Sequence, residues 1–141
     1  MSTVLRQNII DLLTEFMAEA GYKVVESSSR TVGFEAPGRR ADCQLFTSIR
    51  SLNPDDCRQD SEADSIILVP SGDNLEPFMK LFREKGAKFE EAGIQIWVAN
   101  LEQGTIDPFI GYTTDLDIYR QFKNPRLAEM VRSTWGSKSS A

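Results

Sequence analysis

The spacing of apolar residues changes from a helical to an extended pattern early in the chain, and this change constrains the fold more than any other feature. Within residues 3–20 apolar side chains recur three and four positions apart, and Gly21 follows them, which predicts a helix and its end. Extended runs, interrupted by one further helical segment, are predicted at residues 22–27, 31–36, 41–47, 65–69 and 94–99. This order of elements predicts an α/β domain.

The run from Ile66 to Val69 is continuously apolar, as expected of a strand that is buried on both faces. We therefore expect it near the centre of a sheet. A second helical pattern follows this run, and Gly86 is expected to end that helix. Asn124 and Pro125 predict the start of a C-terminal helix.

Length and composition predict one domain over residues 1–135 and a disordered tail of small, polar residues at 136–141. Charged residues make up 26% of the chain, and no apolar run approaches the roughly 18 residues that span a bilayer. The first residues lack the pattern of a signal peptide. We therefore expect a cytoplasmic protein without membrane association.

The chain has no histidine, which excludes Ser-His-Asp and Cys-His catalysis and a histidine general base. A metal ion would have to be bound by oxygen atoms, which favours magnesium, manganese or calcium over zinc. Cys43 and Cys57 do not have metal-ligand spacing, and a structural disulfide between them is disfavoured in the cytosol.

Charge is distributed unevenly along the chain. The formal net charge of −5 argues against broad nucleic-acid binding, although a basic segment at residues 120–141 leaves a local contact open. Acidic residues are concentrated at positions 55–64, but this segment lacks the alternating acids and central glycine of an EF-hand loop. We therefore expect a solvated loop there.

Two segments resemble the restriction-endonuclease-like, or PD-(D/E)XK nuclease, superfamily. One is Arg39-Arg40-Ala41-Asp42 at the start of a strand, and the other is residues 89–100, a helix end followed by a glycine and a strand with a tryptophan. With the order of elements, the resemblance spans residues 8–100. It implies an αβββαβ core with a mixed central sheet, to which this chain adds a C-terminal helix.

The resemblance also implies a site in which carboxylates bind one or two divalent ions that activate a water molecule. Asp42 is the first candidate ligand, and Glu19 on the inward side of the first helix is the second. Glu35 qualifies only under a different alignment of the strands. The acid-x-lysine pair of the superfamily has no counterpart, because the corresponding strand continues as Leu68-Val69-Pro70. The alternative interpretation is that Asp42 is only a strand-edge acid beside two solvated arginines and that Glu19 is a solvated acid.

The sequence therefore favours a non-catalytic binding, regulatory or assembly protein without a cofactor, on a restriction-endonuclease-like fold with a degenerate site. The alternative is a nuclease whose site has migrated, using Asp42 with Glu19 or Glu35 and magnesium or manganese. A third hypothesis is that the topology is a different one and that the chain is another α/β binding module.

The C-terminal helix is the candidate surface for a protein partner or a homodimer. Exposed tryptophan and arginine are frequent interface anchors, and the candidate residues are Arg126, Met130, Arg132 and Trp135. The competing interpretation is that this helix packs against the sheet of its own subunit.

Overall fold

A computed structural model describes residues 3–28, 31–46, 64–70, 76–111, 113 and 115–123. These residues form an α/β domain, as the sequence predicts. Its elements are α1 (Thr3–Glu19), β1 (Lys23–Ser27), β2 (Thr31–Ala36), β3 (Arg39–Leu45), β4 (Asp64–Pro70), α2 (Glu76–Glu91), β5 (Ile94–Asn100), β6 (Thr105–Ile110) and α3 (Leu116–Tyr119).

The six strands form one mixed sheet in which the spatial order is the order of the chain. Strands β1, β2 and β3 are antiparallel neighbours, whereas β3, β4 and β5 run parallel to one another. Strand β6 returns antiparallel to β5. The predicted mixed sheet is thus confirmed, and so is the central position of the apolar run in β4.

Helix α1 covers one face of the sheet. Its side chains, among them Leu13 and Met17, pack with Phe34 of β2, Leu68 of β4 and Trp97 of β5 in one buried cluster. Members of this cluster come from β2 through β6, so α1 is the common support of nearly the whole sheet.

Helix α2 covers only part of the opposite face. Phe78 and Phe89 of α2 pack with Ile67 of β4, Ile96 of β5 and Phe109 of β6. These three strands are therefore buried on both faces. On β1, β2 and β3, no described helix covers the face opposite α1.

The sequence expectation for Gly86 is wrong, because α2 continues through it to Glu91. Gly86 is buried on the side of α2 that packs on the sheet, and the packing of the helix as a whole outweighs the helix propensity of glycine, which is roughly 1 kcal/mol poorer than that of alanine. The chain leaves the helix at Gly93, whose φ of 73° is in the left-handed region.

The segment around α3 closes the α1 side of the core. Ile118 and Phe122 are buried, and the Phe122 ring lies 5.4 Å from the rings of both Phe16 and Trp97. Leu116 and Tyr119 remain exposed. None of the described helices is long and apolar enough to cross a membrane.

Candidate functional site on the open face of the sheet

The face of β1, β2 and β3 that lies opposite α1 carries mostly polar side chains, and we call it the open face. Strand alternation and the pairing registers assign its members. They are Lys23, Glu26, Thr31, Gly33, Glu35, Arg40, Asp42 and Gln44. Polar residues on a sheet face that no described helix covers are available to a ligand or a partner, so this face is the candidate site.

Arg40 lies at the centre of an ionic cluster on the open face. Its Nη1 donates to Glu35 Oε1 at 3.1 Å, and its Nη2 donates to Glu26 Oε2 at 3.0 Å. Nη2 also lies 3.4 Å from Asp42 Oδ1. We call these four residues the Arg40 cluster. One guanidinium and three carboxylates give the cluster a formal charge of −2.

Gly33 provides the space that the cluster occupies. A Cβ atom at this position would lie 3.2 Å from Asp42 Oδ1 and 3.3 Å from Arg40 Nη2. The glycine lies opposite Asp42 in the β2–β3 ladder. Its missing side chain therefore lets Arg40 and Asp42 lie across the middle strand, toward Glu26 on β1.

The electrostatics of the cluster are those of an ion-pair network. The charge of Asp42 raises the pKa of Arg40 above its usual value, and hydrogen bonds to Glu35 and Glu26 raise it further. The guanidinium is therefore a permanent cation among the three acids. In the described part of the chain, no group of three or more acidic or cysteine side chains has the arrangement that would hold a metal ion.

The structure brings two of the three sequence-predicted acids together. Asp42 and Glu35 both contact Arg40. Glu19 is exposed near the end of α1, on the other side of the sheet, and its side chain is not part of this cluster. The inward residues near the end of α1 are instead Phe16 and Met17, followed by Ala20 directly after the helix.

A second polar cluster joins α3 to the start of β3, and we call it the Asp115 cluster. Asp115 accepts from Tyr22 Oη at 2.5 Å and from Arg39 Nη1 at 2.7 Å. Its Oδ1 also accepts from the backbone N–H groups of Asp117 and Ile118, which makes it the N-cap of α3. Asp117 contacts Arg39 at 3.2 Å and completes the cluster.

The Asp115 side chain is nearly buried, with 5% of its surface exposed. Desolvation raises its pKa, but the hydrogen bonds from Tyr22 and the backbone, together with the charge of Arg39, outweigh this and hold the pKa below its usual value. Desolvation lowers the pKa of Arg39, whereas the charge of Asp115 raises it, and the resulting pKa of Arg39 lies above its usual value. Both groups are therefore ionised, and the cluster fastens α3 to the sheet.

Sequence reasoning missed the central role of Arg40 and the whole Asp115 cluster. The alternation of side chains along a strand would have indicated the role of Arg40, because adjacent Arg39 and Arg40 must point to opposite faces of the sheet. Arg40 then belongs to the same face as Asp42. The second cluster joins residues 93 positions apart, Tyr22 and Asp115, and no local pattern predicts that contact.

The candidate interface residues Arg126, Met130, Arg132 and Trp135 lie outside the described residues, as do residues 55–63 of the predicted acidic loop and the tail at residues 136–141. Asp64, which the sequence assigns to that loop, is instead the first residue of β4. The proposed contribution of the C-terminal helix to association therefore stays a prediction.

The C-terminal domain of DUF6834, a domain of unknown function, matches this chain over residues 55–124. This stretch includes β4, α2, β5, β6 and α3, whereas the three strands of the open face precede it. A comparison with curated proteins finds no match.

Proposed function

We propose that this protein is a non-catalytic binding protein whose domain is related to the restriction-endonuclease-like fold and whose open face contacts a protein partner. The observation that carries the proposal is the position of Arg40, which forms ion pairs with Glu26, Glu35 and Asp42. In a metal-dependent nuclease, such carboxylates bind divalent cations. Here a guanidinium lies among them and would repel a second cation.

The composition of β4 supports the same proposal. The resembled superfamily has an acid and a lysine on the corresponding strand, whereas this chain has Ile66, Ile67, Leu68 and Val69, all buried. Leu68 packs on the α1 side and Ile67 on the α2 side. These four apolar side chains fill the two cores and offer neither a metal ligand nor a cation to a scissile phosphate.

A cleavage assay tests the absence of catalysis. We expect the purified protein to leave single- and double-stranded DNA intact in magnesium and in manganese. Cleavage that co-purifies with the protein, disappears in Asp42→Ala and persists in Gln44→Ala would contradict the proposal. Gln44 is the matched control because it lies two positions further along the same strand, on the same face. That result would establish the alternative, a nuclease that uses Asp42 with Glu35 or Glu19.

The partner that best fits the open face carries basic side chains, because the Arg40 cluster has a net negative charge and lies at the surface. Binding of a fluorescent oligolysine peptide, followed by anisotropy at low ionic strength, tests this complementarity. Glu35→Gln combined with Asp42→Asn should weaken binding more than Glu84→Gln combined with Glu102→Gln. The second pair removes the same charge from exposed positions on α2 and on the turn before β6. Equal weakening by the two pairs would mean that net charge alone, and not the open face, attracts the peptide.

A further inference from the structure

Strand β1 is an exposed edge of the sheet in the described part of the chain. It lies at one end of the strand order, and all five of its residues are exposed. Val24 and Val25 expose 41% and 43% of their surfaces, and they are two of the four exposed large apolar residues in the described part of the chain. An edge strand presents backbone donors and acceptors that can pair with another strand.

The opposite edge, β6, is different. Ile106, Pro108, Phe109 and Ile110 are buried, and Pro108 has no backbone N–H to donate. Strand β6 is therefore poorly suited to accept a further strand. The two edges are not equivalent, and β1 is the one that remains open to pairing.

The sequence of β1 is complementary to itself in the antiparallel direction. It reads Lys23-Val24-Val25-Glu26, with a cation before the two valines and an anion after them. Two copies related by a two-fold axis at the valines bring Lys23 of each copy near Glu26 of the other. Lys23 and Glu26 lie on the same face, because both pair with open-face residues of β2. Pairing of two copies therefore places Lys23 of one copy beside Glu26 of the other at two points around a small apolar centre, where Glu26 also contacts Arg40 of its own chain.

We propose that β1 binds β1 of a second copy of this chain, and that the two sheets join in an antiparallel, two-fold symmetric dimer. The partner is a second copy because the charge pattern is self-complementary. Each chain supplies one such edge, so pairing closes after two copies and does not continue as a filament.

An irregularity in β1 limits the contact. The register between β1 and β2 shifts between Val24 and Glu26, which is the signature of a β-bulge. Bulges restrict how far an edge strand can pair. With a strand of five residues, the interface is small, and the dissociation constant should lie in the micromolar to millimolar range.

Charge reversal tests this proposal without relying on loss of folding. Lys23→Glu places two acids at each contact, and Glu26→Lys places two cations there, so each variant alone should dimerise about tenfold more weakly than the native chain. A mixture of the two variants restores both pairs of opposite charges. Sedimentation equilibrium of the mixture should therefore recover a heterodimer at least as stable as the native dimer, while thermal melts confirm that both variants are folded.

The control variants are Glu84→Lys and Lys88→Glu, which reverse exposed charges on α2. They should leave association unchanged. A native chain that stays monomeric up to millimolar concentration would overturn the proposal. A dimer that is weakened equally by the control variants, or a mixture that shows no recovery, would also overturn it. Lys23 and Glu26 belong to the open face, so the two tests are separated by what they measure: sedimentation of the chain alone reports the dimer, and peptide anisotropy reports binding to the open face.

Discussion

The two halves of the sheet differ in how many of their faces are buried. Strands β4, β5 and β6 lie between α1 and α2, and apolar side chains occupy both of their faces. Strands β1, β2 and β3 pack against α1 on one face and carry the Arg40 cluster on the other. The first half thus supplies most of the packing energy, and the second supplies a polar surface. This division separates what stabilises the domain from what is available for binding.

An acid introduced among the buried side chains of β4, β5 and β6 tests the difference between the two halves most directly. Leu68→Asp would place an unpaired charge where the native side chain is 1% exposed, and we expect it to destabilise the domain by about 4 kcal/mol or more. Urea denaturation measures the change. The control is Gln44→Asp on the open face, where a new carboxylate is partly solvated and should cost less than about 1 kcal/mol. Similar losses of unfolding free energy for the two variants would mean that the two halves of the sheet do not differ in burial.

Loss of the Asp115 cluster should cause the next largest decrease in stability, because this cluster holds α3 over the core shared by the two halves. Asp115→Ala leaves the Tyr22 hydroxyl and two backbone N–H groups of α3 without their acceptor. We expect a loss of roughly 2–3 kcal/mol in the free energy of unfolding. Asp117→Ala, which removes a more exposed partner of Arg39, should cost less than about 1 kcal/mol. A larger loss from Asp117→Ala would contradict this assignment.

The lowered pKa of Asp115 also predicts a pH dependence. A carboxyl group whose folded pKa lies below its unfolded value of about 4 stabilises the fold above that pH. The stabilisation is lost as the pH falls through the folded pKa. The unfolding free energy should therefore decrease between about pH 5 and about pH 3, and Asp115→Asn should make this decrease smaller. Urea denaturation at the two pH values gives the comparison. An unchanged decrease in the variant would mean that other carboxyl groups cause it.

The pattern of apolar residues made the covered half predictable, because continuous burial leaves a continuous apolar run, as in Ile66–Val69. The length of α2 was not predictable in the same way, since the packing of the helix on the sheet carries it through Gly86. The candidate site was predicted in part. Asp42 and Glu35 share a face, which follows from strand register, but Glu19 lies on a helix whose rotation about its axis is set by tertiary packing.

Arg40 should have the smallest effect on stability, because its ion pairs are on a partly solvated surface. Arg40→Ala removes three ion pairs and leaves the acids without their shared cation. We expect a loss of stability well below that of Asp115→Ala, and this loss should decrease as the salt concentration rises. Thermal melts at low and high ionic strength measure it. A loss as large as that of Leu68→Asp would show that the cluster is part of the core and not a surface for binding.

The central claim is that Arg40, and not a metal ion, is the cation that pairs with the acids of the open face. The most direct test is a crystal of the protein soaked in manganese, with anomalous scattering used to locate the ion. We predict no manganese peak at the Arg40 cluster, and hydrogen bonds from the guanidinium to Glu26 and Glu35 that remain as they are. A manganese ion bound to Asp42 and Glu35, with Arg40 displaced, would contradict the account and would favour a metal-dependent nuclease.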